Sequence, residues 1–216
     1  MTSDKVSQTL GVPNRGRLRS YTVSLLSNIG QINQDRSLIW DQGDTLRIIS
    51  AHSRDLPSLF LSGVCDYILT GLDYAIEGGI SSRPIACLPA CRGRIVALAS
   101  GIGSIPRTPA IVSQYPNIAS RWAFTRGLDA VTHAVSGAAE LYPRLGLADI
   151  AVDVVATGAT CRDNNLLEID VILHTSCALF GPPPDVSIGP APDWLSVLLQ
   201  ARIHDFQPNI PYDSNV

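Results

Sequence analysis

Residues 153–160, with the sequence Asp-Val-Val-Ala-Thr-Gly-Ala-Thr, have the composition of a turn that binds phosphate. They follow an apolar, strand-like run at 150–152 and precede a polar turn at 161–165. Gly158 lets the backbone approach an anion, and the hydroxyls of Thr157 and Thr160 add donors. Asp153, at the predicted strand end, can accept from ribose hydroxyls or hold a metal-bound water. An ordinary strand–turn–helix connection has the same composition, so both interpretations stay open.

A second candidate anion site lies near the N-terminus, where Arg15 and Arg17 flank Gly16. These residues precede a helix-like run at 20–28, where a strand is expected to turn into that helix. Two guanidiniums beside a glycine at a helix N-terminus suit an anion. A solvated basic turn is the alternative, and the residues alone do not separate the two.

Composition sets the class of protein. The chain has 216 residues, of which 45% are hydrophobic and 16% are charged. That is enough for one large domain or two small lobes around a sizeable core. The net charge of −3 gives no electrostatic basis for general nucleic-acid binding. We therefore expect no nucleic-acid partner.

The cysteines and the apolar runs indicate a compartment. The five cysteines are an odd number without CxxC or Cys/His zinc spacing, which favours reduced thiols in a cytosolic protein. No apolar run reaches the roughly 18–20 residues of a membrane span, and the N-terminus has no signal-peptide core. We therefore expect a cytoplasmic protein without a membrane partner.

The elements that must position these residues alternate along the chain. Strands are predicted at 38–40, 45–50, 65–69, 95–99, 110–113, 130–135, 150–152 and 166–174. Helices are predicted at 20–28, 58–63, 74–79, 118–126, 138–145 and 193–202. This order predicts an α/β fold with parallel strands. Ligands of such sheets bind beyond the carboxyl ends of strands, where Thr157-Gly158 and a second pair, Thr70-Gly71, both fall.

Taken in order, several of these blocks resemble the ATP phosphoribosyltransferase family, which performs the first step of histidine biosynthesis. The most specific block combines Glu140, Gly146 and Asp149 with the run at 153–160. Weaker blocks lie at 12–18, 54–57, 70–73, 94–96 and 115–117. The resemblance covers about residues 11–180.

The resemblance implies a fold and a reaction. The fold is α/β, with two lobes of the periplasmic-binding-protein type (type II) and the active site in the interlobe cleft. Lobe I is expected to span 1–98, with 181–216 returning to it, and lobe II to span 99–180 and carry the phosphate loop. The reaction moves 5-phosphoribose from phosphoribosyl pyrophosphate (PRPP) to N1 of ATP, releases pyrophosphate and uses Mg²⁺.

The resemblance also assigns roles to residues. The proposed cations are Arg15, Arg17, Arg54 and Arg94. The proposed PRPP contacts are Asp153, Ala156, Thr157, Gly158, Ala159 and Thr160. The proposed nucleotide contacts are Gly16, Thr70, Gly71, Asp73 and Glu140, and no metal ligand is assigned. The chain is similar to the short form of the family, which works as a homo-oligomer with a separate subunit similar to histidyl-tRNA synthetase.

Several positions depart from the family pattern. His52 and Ala110 stand where the family usually has Arg, and Ile68 stands where it has Gly. Further departures are Ala90-Cys91, Ala156 and Cys161. The phosphate loop matches the family pattern better than the residues expected around the nucleotide do. The departures therefore put the identity of the acceptor in question more than the binding of PRPP.

Three functions remain open on the sequence. The first is a short-form ATP phosphoribosyltransferase catalytic chain. The second is a diverged paralogue that phosphoribosylates another base or heterocycle. The third is a non-catalytic pair of lobes that binds a phosphorylated ligand or serves as a partner subunit.

Overall fold

The computed structural model of the chain describes residues 8–27, 29, 37–101, 105–182 and 192–200, leaving aside the side chains of residues 159, 160 and 200. The strands in these ranges are β1 (Gln8–Pro13), β2 (Ile39–Gln42), β3 (Leu46–Ala51), β4 (Tyr67–Gly71), β5 (Ala86–Ala99), β6 (Ala110–Ser113), β7 (Val131–Ala134), β8 (Ile150–Val155) and β9 (Leu167–Phe180). The helices are α1 (Gly16–Leu26), α2 (Leu56–Leu61), α3 (Leu72–Glu77), α4 (Pro116–Thr125), α5 (Leu141–Arg144), α6 (Ala159–Asp163) and α7 (Asp193–Gln200).

The chain folds into two compact units. The first contains the described residues of Met1–Cys91 and Ser176–Gln207, and the second contains those of Arg92–Thr175. The unit boundaries therefore fall inside β5 and β9, whereas the predicted lobe boundaries, 98/99 and 180/181, lie at the ends of these strands. No helix in the described ranges is long and apolar enough to cross a membrane.

The first unit has the strand order β2-β3-β1-β4-β9. Its centre is parallel, because β1 pairs in parallel with both β3 and β4. Every residue of β4 is buried, as expected for a central parallel strand that is covered on both faces. The core includes Leu10, Ile48, Leu69 and Leu179, with Trp194 of α7 packed among them.

The second unit has the strand order β5-β8-β6-β7. Strands β6, β7 and β8 run parallel, and β5 runs antiparallel to β8. Helix α4 begins at Pro116, whose fixed φ and missing N–H suit a first helical turn. The chain leaves α4 through Gly127, whose φ of 67° is typical of a glycine that ends a helix.

The prediction of parallel strands is wrong for three pairs. Strand β2 is antiparallel to β3, β4 to β9, and β5 to β8. The predicted strands at 95–99 and 166–174 are also too short, because β5 and β9 each have 14 residues. In β5 the polar and glycine-containing run before residue 95 conceals the strand, and Cys91 interrupts its extended backbone at a φ of 55°.

Candidate functional site

The predicted phosphate loop joins β8 to α6. Strand β8 continues through Val155, and α6 begins at Ala159, so residues 156–158 form the turn. Gly158 has a φ of 74°, in the left-handed region that favours glycine. Ala156 and Thr157 are exposed, whereas the side chains of Ala159 and Thr160 lie outside the described residues.

Asp153 is not at the end of its strand, as the sequence predicted, but two positions before it, because the valines at 154 and 155 extend β8. Its side chain is buried, with 7% of its surface exposed. One carboxylate oxygen accepts from the Val154 N–H at 2.7 Å, and the Gln114 amide donates to it at 3.3 Å. The Glu140 carboxyl is a further neighbour of Asp153. A pair of carboxyls, of which Asp153 is the buried member, therefore lies next to the loop.

Burial raises the pKa of Asp153 to about 6, and the neighbouring Glu140 adds to the shift, whereas the Val154 N–H opposes it. The resemblance to the family assigned Glu140 to the expected nucleotide contacts. In the structure Glu140 is a neighbour of Asp153, and both residues belong to the second unit.

Arg94 lies beside the same loop, but its guanidinium is already paired. It contacts Glu168 through two donors, Nη2 to Oε1 at 2.6 Å and Nε to Oε2 at 3.1 Å. Arg162 also lies beside the loop, and its Nη1 donates to the Thr157 carbonyl at 3.4 Å. Two cations and one anion therefore surround the turn.

Cys161 shows that these groups converge. Its thiol is buried, and its pKa is raised by burial, then by Glu168 and Glu140, while Arg94 lowers it. Asp153 raises it further. The buried Cys161 thiol in α6 therefore lies near both the carboxyl pair and the Arg94–Glu168 ion pair.

In the first unit, predicted site residues gather where three parallel strands end. Asn14, after β1, donates its N–H to the Ala51 carbonyl of β3 at 2.8 Å. Thr70, at the end of β4, donates its hydroxyl to the Ser53 carbonyl at 3.1 Å. The ends of β1, β3 and β4 are therefore tied together. Gly71 is the last residue of β4. The segments that follow these strand ends contain Arg15, Gly16, Arg17, Arg54 and Asp73.

His52 lies among the cations of this group. The backbone N–H of Arg54 donates to its Nδ1 at 3.2 Å, which leaves Nε2 to carry the proton of the neutral ring. Burial lowers the pKa of His52, and the guanidiniums of Arg15 and Arg54 lower it further, while Asp55 opposes them. The ring is therefore neutral at pH 7, between two fixed positive charges.

Arg17 and Asp73 face a different neighbour, Cys91 of β5. Burial raises the pKa of the Cys91 thiol, Arg17 opposes this and Asp73 adds to it. Asp73 is buried, and its Oδ1 would lie 2.3 Å from a Cβ placed on Gly71. A side chain at position 71 would thus displace that carboxylate. This close contact is enough to explain why position 71 is a glycine, and no bound ligand is needed to explain it.

Ala110, one of the departures, lies away from the loop. It begins β6, and β6 runs parallel to β8 with Ile111 opposite Ile150. Ala110 therefore lies at the end of the sheet opposite the loop, where its N–H donates to Asp149 at 2.8 Å. Ile68, another departure, is fully buried in β4 of the first unit.

Sequence reasoning missed Gln114, Arg162 and Glu168. Gln114 follows the end of β6 and was a candidate on the strand-end rule that selected Thr70. Glu168 left no local signal, because it lies 74 residues from its partner Arg94. Arg162 stands in the polar turn after the loop, where an arginine is unremarkable by type alone.

Within the described residues, no group of three or more His, Cys, Asp or Glu side chains is arranged to hold a metal ion. The donor set of Asp153 and Glu140 nevertheless fits Mg²⁺, which is commonly held by one or two carboxylates together with substrate phosphates. Such a site would be completed by the substrate.

Comparison with known proteins identifies relatives. The family model for HisG, ATP phosphoribosyltransferase, matches residues 52–188. The ATP phosphoribosyltransferase of Metallosphaera sedula is 30% identical over 182 residues, which are 80% of this chain and 64% of the relative. That of Methanopyrus kandleri is 31% identical, over 81% of this chain and 65% of the relative. The chain thus spans somewhat less than two thirds of the length of these curated relatives.

Comparison with solved structures identifies a relative from the same family and a second protein with the same fold. A chain of the ATP phosphoribosyl transferase (HisG:HisZ) complex from Thermotoga maritima is 26% identical and has a TM-score of 0.75, covering 82% of this chain and 88% of that chain. XAC2383 from Xanthomonas citri, solved bound to ATP, has a TM-score of 0.52 at 11% identity, covering 89% of this chain and 80% of that chain, and shows the fold alone. These matches confirm the predicted two-lobed α/β fold. The chain belongs to the ATP phosphoribosyltransferase family.

Proposed function

We propose that this chain transfers 5-phosphoribose from PRPP to N1 of ATP and releases pyrophosphate. The observation that carries the proposal is the loop at 156–158, with the Asp153–Glu140 carboxyl pair beneath it and Arg94 beside it. The loop suits a phosphate, the carboxyl pair suits the ribose hydroxyls, and Arg94 adds a cation for the phosphate that the loop binds.

The proposed roles follow from the chemistry. The bond between C1′ of the ribose and pyrophosphate breaks as the bond from C1′ to N1 forms, and no side-chain nucleophile is needed. The protein helps by holding both substrates and stabilising charge. The N–H groups of the loop and the Thr157 hydroxyl would hold the 5-phosphate, and Asp153 and Glu140 would accept from the ribose hydroxyls.

The carboxyl pair also bears on the cofactor. Asp153 and Glu140 are the residues that would hold Mg²⁺, which when bound neutralises the charge of the leaving pyrophosphate. Since Asp153 has a pKa of about 6, its carboxyl is mostly ionised at pH 7 and able to take this role.

The first unit would supply the acceptor site. Arg15, Arg17 and Arg54 follow the ends of parallel strands, which suits the triphosphate of ATP. His52 favours a second candidate, transfer to another base or heterocycle, because a neutral ring replaces the guanidinium that the family usually has there. We place the reaction in the cytoplasm, where PRPP and ATP are available.

Partners are part of the proposal. The similar chain from Thermotoga maritima was solved in a HisG:HisZ complex, and the chain's resemblance to the family implies a regulatory subunit similar to histidyl-tRNA synthetase. We propose that this chain works with such a subunit, as a homodimer or larger assembly.

The decisive experiment is pyrophosphate release by the purified chain with PRPP, Mg²⁺ and ATP, with and without a synthetase-like subunit. Release that depends on ATP supports the proposal. PRPP binding in calorimetry without release in either condition would move the function to a different acceptor or to binding alone. Omitting ATP gives the matched control, because slow hydrolysis of PRPP also yields pyrophosphate.

A further inference from the structure

The ion pair between Arg94 and Glu168 is the most fully formed in the second unit. Both side chains are partly buried, with exposures of 29% and 26%. Nη2 of Arg94 donates to both carboxylate oxygens, at 2.6 and 2.8 Å, and Nε donates at 3.1 Å. Paired donors of this kind fix the plane of the guanidinium as well as its distance.

This ion pair lies directly against the phosphate loop. A Cβ placed on Gly158 would be 3.5 Å from Oε1 of Glu168 and 3.7 Å from Nη2 of Arg94. The same point would be 3.2 Å from Nη1 of Arg162. The glycine at the apex of the turn is therefore enclosed by these three charged groups, all within one unit.

The way in which Glu168 grips Arg94 leaves part of the guanidinium for a ligand. An arginine side chain carries five N–H donors in a rigid fork. Glu168 engages the Nε and Nη2 positions, so the Nη1 group remains outside this ion pair. A long side chain held in this way loses less conformational freedom when it binds an anion.

From these contacts we infer that Glu168 is a positioning residue for PRPP. It acts through Arg94, holding the guanidinium against Gly158, where this cation faces the phosphate that the loop binds. The inference rests on the proposed function. It adds a carboxylate whose role is to orient a cation, and it gives the long strand β9 a part in the site.

The test replaces Glu168 with Gln, which keeps the shape and removes the charge. We expect the Kd for PRPP in calorimetry, and the KM for PRPP, to rise by about tenfold, the usual effect of one charge-assisted hydrogen bond. The KM for ATP should stay unchanged, and Glu168→Asp should recover part of the loss. A loss of fold alone would instead lower the apparent kcat and the melting temperature together and leave both KM values unchanged.

The matched control is Asp170→Asn on the same strand. Asp170 accepts from the Trp122 indole at 2.8 Å and pairs with Arg126, away from the loop. The Asp170→Asn variant should have a lower melting temperature than the wild type and an unchanged Kd for PRPP.

A charge-swapped chain, Arg94→Glu with Glu168→Arg, separates orientation from bracing. It retains an ion pair, so its melting temperature should approach that of the wild type, but PRPP affinity should not return. Full return of PRPP affinity would overturn the inference, as would a Glu168→Gln chain that binds PRPP as tightly as the wild type. A wild-type chain that does not bind PRPP at all would overturn the proposed function, and the inference with it.

Discussion

Single residues in the second unit place opposite charges within one small volume. Asp153 is buried beside Glu140, and Arg94 is held by Glu168 a short distance away. Burying a carboxyl costs free energy that an apolar residue would not incur. This loss of folding stability arises at the position where a ribose and a metal would be bound. Functional sites commonly lower the stability of a protein in this way.

Asp153→Asn should raise stability in a pH-dependent way. The folded pKa of about 6 exceeds the ordinary 3.8, so the native state binds the proton more tightly, and Asp153 lowers stability as the pH rises from about 4 to 7. The variant should therefore match the wild type near pH 4 and gain up to about 3 kcal/mol at pH 7. Urea melts across this range measure the difference, in which other carboxyls cancel. A constant difference at every pH would contradict the burial argument.

His52→Arg should test the acceptor site. A third guanidinium beside Arg15 and Arg54 adds a permanent charge where a neutral ring now lies, and a charge-assisted hydrogen bond to a phosphate is worth about tenfold in affinity. If ATP is the acceptor, kcat/KM for ATP should rise by that factor while the KM for PRPP stays constant. His133→Arg, on an exposed part of β7, is the control. Reduced use of ATP would indicate that the ring itself contacts a different acceptor.

At the scale of elements, local patterns predicted several of the short strands, although no strand range was predicted at β1. The predicted strand at 110–113 is β6 itself, and α4 lies within one or two residues of its prediction. In both cases apolar spacing, proline and glycine act within a few residues of each other. The long strands β5 and β9 escaped because their pairing is made between distant segments, and polar residues along them break the alternation.

The same distinction holds for the site. Gly158 and Thr157 were predictable, because a turn that approaches an anion needs particular residues at adjacent positions. Glu168 was not, since its role depends on which strands lie side by side. Asp153 was assigned to the right region but to the wrong depth, because the length of β8 depends on pairing with β5, where Val154 lies opposite Ile95.

Gly158→Ala should impair the loop beyond the general cost of its backbone conformation. A φ of 74° costs an alanine roughly 1 kcal/mol, and the new Cβ would lie 3.2 Å from the Arg162 guanidinium. Gly127→Ala is a matched control, with a φ of 67° and no atom within 4 Å of its Cβ. Both should lose similar stability in thermal melts, but only Gly158→Ala should weaken PRPP binding. Equal PRPP affinity in the two variants would remove the loop from the site.

At the scale of the whole molecule, the candidate residues form two groups, one in each unit. The loop, the carboxyl pair and Arg94 belong to the second unit, and Arg15, Arg17, Arg54 and His52 belong to the first. This division agrees with a proposal in which one unit binds PRPP and the other binds the acceptor. It also makes the two binding events separable by experiment.

PRPP alone should therefore protect the second unit selectively. A ligand that binds only the native state slows amide exchange through full opening by a factor of about 1 + [L]/Kd. We expect this slowing in β8 and α6 at saturating PRPP, with a smaller change in β1 and β3. Hydrogen–deuterium exchange followed by mass spectrometry resolves these segments. Protection confined to β1 and β3 would reverse the assignment of substrates to units.

The anchoring of α4 to β9 has a practical consequence. The chain has three tryptophans, and Trp122 is the only one in the second unit, where its indole donates to Asp170. With Trp40 and Trp194 replaced by Phe, the intrinsic fluorescence would come from a single buried indole whose hydrogen bond spans α4 and β9. The emission maximum of Trp122 would report unfolding of the second unit alone. Energy transfer to Trp122 from the tyrosines of that unit would give a distance-sensitive signal without any added dye.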